Sequence, residues 1–270
     1  MYKEEGAQKY WSNRVKSNPN ISAVLNIGLP DFANSAFDKW FSYFLHKFIR
    51  KDMRILDAAC GMGRVLVPLI KEDYRVVGLD LSPQMLDICK SRLNSVGAGK
   101  SVKLFQGSVD NLPFDWGVFD VVILSEVLFH LPDDICSKTI AECSRVLKKG
   151  GLAIVTTNNK KSIFLKNVGV ITEQRPDGYF FTVRDIADVS NQFKKNNMAE
   201  IYRKSNGFVS ILNGARRTPG LRRLYSLSSI RIPSLLKVMY LFASKLDILF
   251  QPSIVEKKLA TLLFLVYQKN

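Results

Sequence analysis

Apolar residues fall into two rhythms that alternate between residues 53 and 157. Runs at 53–58, 74–79, 101–106, 118–124 and 151–157 are apolar on nearly consecutive positions, as in Val121-Val122-Ile123-Leu124. Short runs of this kind describe strands buried on both faces, the condition of a parallel sheet. Between them, 62–71, 83–96 and 133–147 carry apolar residues at helical spacing, which predicts helices laid on that sheet. Ser82-Pro83 marks a helix start, with Ser as N-cap and Pro in the first turn, and Gly97-Ala98-Gly99 marks its stop. Asp133-Asp134 is expected to cap the next helix, and Lys148-Lys149-Gly150-Gly151 to end it. Short connections between strand and helix argue for a parallel sheet covered on both faces.

The flanks are different. Phe37, Trp40, Phe41, Phe44 and Phe48 recur three and four apart, so residues 1–50 read as a helical N-terminal cap with one aromatic face packed on a core. His46 on that helix suits a surface or capping role. After Thr157 the rhythm loosens: Lys160 to Gly178 is a polar connection, and Thr182 is expected to cap a helix at 183–196. A strand near 199–205, a long apolar helix at 233–250 and a last strand at 259–268 follow. The predicted division is a core at 51–210, a basic amphipathic helical insertion or lid at 211–258, and a returning core strand at 259–270.

Composition adds one constraint. With 270 residues, 47% hydrophobic, the chain has ample material for a core. The charge is lopsided: 39 Lys+Arg against 24 Asp+Glu leave +15, and residues 211–270 hold ten of the cations against two acids. Such a balance favours an anionic partner, whether membrane surface, phosphorylated substrate or nucleic acid. The four cysteines (60, 89, 136, 143) form no CxxC pair and no metal-ligand spacing with histidine, and Cys136 and Cys143 share a helical stripe that points to core packing. Free thiols and a polar N-terminus predict a cytoplasmic setting.

The chemistry gathers around Asp57-Ala58-Ala59-Cys60-Gly61-Met62-Gly63, where the first apolar run meets a glycine turn. Gly61 and Gly63 allow close backbone approach, and the helix that follows offers free N–H groups. A dinucleotide dehydrogenase would need a third glycine where Leu66 stands. Downstream come Asp80 at the end of the second strand, Gly107-Ser108-Val109-Asp110-Asn111-Leu112-Pro113-Phe114, and Arg145-Val146-Leu147-Lys148-Lys149-Gly150-Gly151. Together these resemble the class I S-adenosylmethionine (SAM)-dependent methyltransferases over about residues 50–160. In that family's Asp-x-Gly-x-Gly-x-Gly pattern, Ala59 replaces the first glycine, a change that a negative φ would accommodate. The resemblance implies an α/β fold: a doubly wound, seven-stranded, mostly parallel sheet with helices on both faces, plus helical N-terminal and C-terminal lid additions. It also implies that Asp57, Ala59, Gly61 and Gly63 wrap the amino-acid and ribose end of SAM, and that Asp80 accepts the ribose hydroxyls. Leu81 and Met85 would lie near the adenine, with Ser108 in place of the acid that usually meets its amino group and Asp110 as the alternative, and Val109 would also contact the cofactor. Ser125 follows the fourth strand, and Tyr10, Trp11 and Arg14 are expected over the ligand. S-adenosylhomocysteine is the implied product, and no metal is expected.

The acceptor is encoded less directly. No Asn/Asp-Pro-Pro-Tyr/Phe follows the fourth strand, where Ser125-Glu126-Val127 stands, which speaks against the usual amino-methylating nucleic-acid enzymes. His130 is the best candidate general base, against a structural or gating role, and Glu126 a weaker one. Helix 233–250, following Arg216, Arg217, Arg222, Arg223 and Arg231, suits either an anionic membrane surface or a lid with a solvated basic face. The expectation is an O-methyltransferase of a small, lipid-linked or amphiphilic acceptor such as a sugar or quinol, peripheral at the membrane. The alternatives are an N-methyltransferase of a lipid or amine, an RNA methyltransferase, and a non-catalytic SAM-fold interaction protein.

Overall fold

The alternating apolar runs pair side by side in a computed structural model that describes residues 3–17, 31–166, 172–208, 212, 233–249 and 261–270. In chain order the elements are α1 (Glu4–Ser17), α2 (Asp31–Leu45), β1 (Arg54–Ala58), α3 (Leu66–Lys71), β2 (Arg75–Asp80), α4 (Pro83–Ser95), β3 (Leu104–Gln106) and β4 (Phe119–Ser125). Then come α5 (Asp133–Val146), β5 (Leu147–Asn158), α6 (Ile163–Lys166), β6 (Thr172–Gln174), β7 (Phe180–Thr182), α7 (Ile186–Lys195), β8 (Met198–Ser205), α8 (Pro233–Leu249) and β9 (Leu262–Lys269). Seven strands form one sheet in the order β3-β2-β1-β4-β5-β9-β8. β9 pairs antiparallel with both β5 and β8, so it alone runs against the others.

The period of two along the strands divides the core. Val121 and Ile123 of β4 face a cluster that includes Trp40, Phe44, Leu66 and Phe264, while Val122 and Leu124 face Ile140, Phe193 and Tyr267. The aromatic stripe of α2 is therefore core, with Phe264 at its centre: its ring lies 6.2 Å from Trp40, 5.7 Å from Phe41 and 5.9 Å from Phe44. On the opposite face Phe193 and Tyr267 stack with centroids 3.9 Å apart.

Several boundaries differ from the sequence expectation. The first core helix begins at Leu66 rather than residue 62, because Gly61 (φ +53°) and Gly63 (φ +77°) hold the preceding turn in the left-handed region. The helix over 133–147 ends at Val146, and β5 starts at once. Its register to β4 jumps from Phe119↔Leu147 to Val121↔Leu152, so Lys148 to Gly151 form a bulge rather than a helix cap. Asp133 and Asp134 lie in the first turn of α5 with Pro132 as N-cap residue, and they do not cap it. Residues 160–178 contain α6 and the first strand of a small hairpin, β6–β7. Thr182 belongs to that hairpin, where its hydroxyl meets Thr172, and the cap of α7 is Asp185, which accepts the Ala187 N–H.

The C-terminal helix α8 packs on α2 through Leu236, Tyr240 and Ala243 against Ala33 and Ala36. Asp247 is turned inward and accepts the Phe208 N–H at 2.7 Å. Arg216, Arg217, Arg222, Arg223 and Arg231 lie outside the described residues. Among the described residues no helix is long and apolar enough to cross a membrane.

Phe264→Ala should cost about 3–5 kcal/mol, since the α2 aromatics cannot collapse into the space a core phenyl leaves. Denaturant melts would show it, and a loss below about 1 kcal/mol would mean that α2 is not seated on β9.

Candidate functional site

One carboxylate joins the two turns at the carboxyl edge of the sheet. Asp80, at the end of β2, accepts the Gly61 N–H through Oδ2 at 2.8 Å and the Ser82 N–H through Oδ1 at 2.9 Å. Its backbone carbonyl takes the Gly107 N–H, so three loops converge on one residue. Burial pushes the Asp80 carboxyl up to about 6 despite these amide donors. Asp57, at the end of β1, is buried more completely. Burial lifts it to about 7 against the opposing pull of Arg64, and its Oδ2 has no hydrogen-bond partner.

These residues line an open cleft of about 960 Å³, counting the space at its mouth that is continuous with solvent. Of the residues expected to meet a cofactor, Asp57, Ala59, Gly61, Asp80, Leu81, Met85, Ser108, Val109, Ser125 and Trp11 lie on its wall. Gly63 does not. A Cβ there would meet Cys89 Sγ at 2.7 Å and Val67 Cγ2 at 2.8 Å, so this glycine serves the contact between the turn and α4. Tyr10 and Arg14 are also off the wall. Arg14 donates to the Tyr10 hydroxyl, and Tyr10 packs on Tyr179 of the hairpin, behind Trp11. Ala59 has φ +66°, not the negative value expected for an alanine, and the turn carries the cost of that conformation. Ser108 donates its proton to Asp110, which leaves its oxygen lone pairs as acceptors; Asp110 itself does not reach the cleft.

Helix α1 closes one side. Ser12 bonds Ser82, the cap of α4, at 2.9 Å, and Val15 packs with Met62 and Met85. Ala7 and Trp11 then face the cleft. At its other end α1 abuts the β6–β7 turn so closely that a Cβ on Gly178 would lie 2.0 Å from the Gly6 carbonyl oxygen. Trp11 meets the edge of His130, with ring centroids 4.9 Å apart.

His130 sits in a single 3-10 turn after β4, ringed by Trp11, Phe129, Tyr179 and Phe181. Its Nδ1 lies 2.9 Å from the Phe180 carbonyl oxygen. A carbonyl can only accept, so Nδ1 carries the proton and the neutral ring keeps a lone pair on Nε2. Burial lowers its pKa to about 4, so at pH 7 the ring is neutral.

Glu126 is placed differently. It also lines the cleft, but Arg64 Nη2 lies 3.7 Å from its carboxylate. Burial raises the Glu126 carboxyl, and Arg64 opposes that rise. Arg64 donates further to Asp38 of α2 at 2.7 Å and to the Ser125 hydroxyl at 2.8 Å. Burial works against its charge, but Glu126 and Asp38 outweigh it and hold Arg64 above its ordinary value. Arg64, Ala7, Cys60 and Val127 line the cleft without having been foreseen. Only Arg64 had a sequence signal, as the one cation adjoining the glycine turn.

The strand order and the cleft at the carboxyl edge define a doubly wound α/β fold. Residues 55–151 match the family model of a methyltransferase domain. The chain is 32% identical over 118 residues to a demethylmenaquinone methyltransferase of Staphylococcus aureus, covering 43% of this chain and 47% of that protein. It is 31% identical over 119 residues to a ubiquinone biosynthesis O-methyltransferase of Vibrio parahaemolyticus, covering 43% and 49%. The matches thus span about half the length of these relatives. Among solved structures, geranyl diphosphate C-methyltransferase of Streptomyces coelicolor, in complex with S-adenosylhomocysteine, superposes with TM-score 0.61 at 13% identity, covering 99% of this chain and 98% of that one. Residues 55–151 thus form a domain similar to methyltransferase domains, within a sheet that has the class I SAM-dependent methyltransferase fold. The residues fit that cofactor: Asp57 Oδ2 lacks a partner, the Asp80 carboxylate keeps acceptor capacity beyond its amide donors, and Ser108 has acceptor capacity. Among the described residues no group of His, Cys, Asp and Glu could hold a metal ion.

Two outcomes follow from this geometry. The folded state keeps a proton on Asp57 between its unfolded pKa and about 7, so this residue's favourable contribution is lost as pH rises through that value. Asp57→Asn should therefore melt above wild type at pH 8, by about 2–4 °C per kcal/mol relieved, with the gap narrowing at pH 5 and closing near the unfolded value of 3.8; no difference at pH 8 would show the charge already compensated. Gly178→Ala should push α1 from the hairpin, giving faster proteolysis within α1 and several-fold weaker S-adenosylhomocysteine binding by calorimetry. An unchanged digestion pattern would refute the contact.

Proposed function

We propose that the chain transfers the methyl group of SAM to an oxygen of a small amphiphilic acceptor, with His130 as general base. The carrying observation is the Nδ1–H bond to the Phe180 carbonyl, which leaves the Nε2 lone pair for a proton. When bound, the cofactor supplies an electrophilic methyl on a sulfonium. The chain's part is to orient, to exclude water and to take a proton. Asp80 would hold the ribose hydroxyls through its spare lone pairs, Asp57 the amino-acid end, and Ser108 the adenine. Trp11, Phe129, Tyr179 and Phe181 make the surroundings of His130 apolar.

A pKa of about 4 also restricts the acceptor. So weak a base assists the loss of an acidic hydroxyl proton far better than that of an aliphatic alcohol. Together with the aromatic surroundings, this favours a phenolic ring such as a quinol over a sugar. The relatives named for demethylmenaquinone and for ubiquinone biosynthesis support the same choice. Glu126, engaged by Arg64, serves better to position Ser125 and the turn after β4 than to take a proton.

The test is His130→Ala assayed with labelled SAM and short-chain quinol acceptors. Turnover should fall about 10²–10⁴-fold while SAM affinity is nearly unchanged. The neutral ring is the active form, so the wild-type rate should stay level from pH 8 down to about 5 and drop as the ring gains a proton near 4. Intact turnover in the variant would overturn the assignment.

A further inference from the structure

The outer face of α8 has no role in the cleft, and its composition is unusual for a solvated helix. Val238 is 59% exposed, Met239 42%, Phe242 61% and Leu249 70%. Val238, Phe242, Lys245 and Leu249 are spaced four, three and four apart and form one outward stripe, with Met239 on one shoulder and Lys237 on the other. The inward stripe is Leu236, Tyr240, Ala243, Ser244 and Asp247, fixed on α2 partly by the Ser244 hydroxyl donating to the Ala36 carbonyl at 3.2 Å. The helix is thus held by one face while it exposes large apolar side chains on the other.

We propose that this face docks on an anionic lipid bilayer, with α8 lying in the headgroup plane. Charge decides the partner. Lys237 and Lys245 are exposed beside the apolar stripe, and the helix's single carboxylate, Asp247, is turned into the protein. The outward face therefore carries only positive charge, in a chain of net +15 with five arginines at 216–231 just ahead of the helix. Apolar side chains flanked by lysines match a surface of negative headgroups over acyl chains. At 17 residues α8 spans about 25 Å, short for a crossing but suited to lying flat. A second copy of the chain fits less well. Four side chains on one helix fall far below the roughly 800 Å² per partner of a stable interface, and the lysines would face each other.

The experiment is co-sedimentation of the full chain with vesicles of phosphatidylcholine, alone or with added phosphatidylglycerol. Wild type should pellet with the anionic vesicles and stay in solution with phosphatidylcholine alone. Phe242→Ser with Leu249→Ser, and separately Lys237→Glu with Lys245→Glu, should each weaken binding about tenfold or more. Thermal melts and S-adenosylhomocysteine titration, unchanged in both variants, would show the fold and cleft intact and keep this outcome separate from that of the methyltransferase reading. The proposal is overturned if wild type stays with the supernatant, if the serine variant binds as well as wild type, or if sedimentation velocity shows a dimer that the serine variant dissolves.

Discussion

Asp80 receives the Gly61 amide on one carboxylate oxygen and the Ser82 amide on the other, and the cleft depends on this pair of bonds. The first fixes the glycine turn after β1. The second sets the start of α4, whose cap, Ser82, in turn bonds Ser12 of α1. A charge-assisted bond to a buried carboxylate is stronger than one between neutral groups, and its two oxygens sit on one rigid plane. One side chain therefore sets the distance between the two loops that a nucleoside must fit. It also seats, through Ser82, the helix that walls them.

Arg64 plays a comparable part on the side of the cleft that holds Glu126 and His130. It links α2 through Asp38, the end of β4 through Ser125, and Glu126 in its left-handed conformation. A buried arginine is tolerated only with such partners, since the cost of desolvating it exceeds what a single exposed pair returns. The N-terminal helices are thus part of the site. α1 contributes Ala7 and Trp11, and α2 holds the arginine that steadies the turn before His130.

What the sequence disclosed and what it hid follow from the range of the forces involved. Strand runs, the Ser82-Pro83 start and the glycine turn are local signals, and the parallel sheet covered by helices follows from them; its seven strands came from the family resemblance. The start of α3 was misplaced at residue 62 although a signal for it was present: Pro68 falls in the first turn of a helix that opens at Leu66, but it would sit inside one opening at 62. The β6–β7 hairpin was hidden, because its strands are three residues long and depend on partners across the chain. Gly63 looked like a ligand glycine, and only the position of Cys89 shows it to be a packing one. Arg64 and Asp38 stand 26 residues apart in unlike elements, and no periodicity joins them.

The electrostatics of the cleft run opposite to those of the whole molecule. In a chain of +15, the cofactor end of the cleft is walled by Asp57 and Asp80, and the one nearby arginine is already engaged by Asp38 and Glu126. Burial raises the pKa of both aspartates, so without a ligand Asp57 is partly protonated near neutral pH while Asp80 is mostly ionised. A cationic ligand reverses that balance: its positive charge favours the ionised carboxylates, and the proton leaves. A neutral molecule of the same shape brings no such compensation. Two buried carboxylates, one of them with an unpartnered oxygen, thus make this end of the cleft favour a cationic ligand over a neutral one, independently of the shape of the glycine turn.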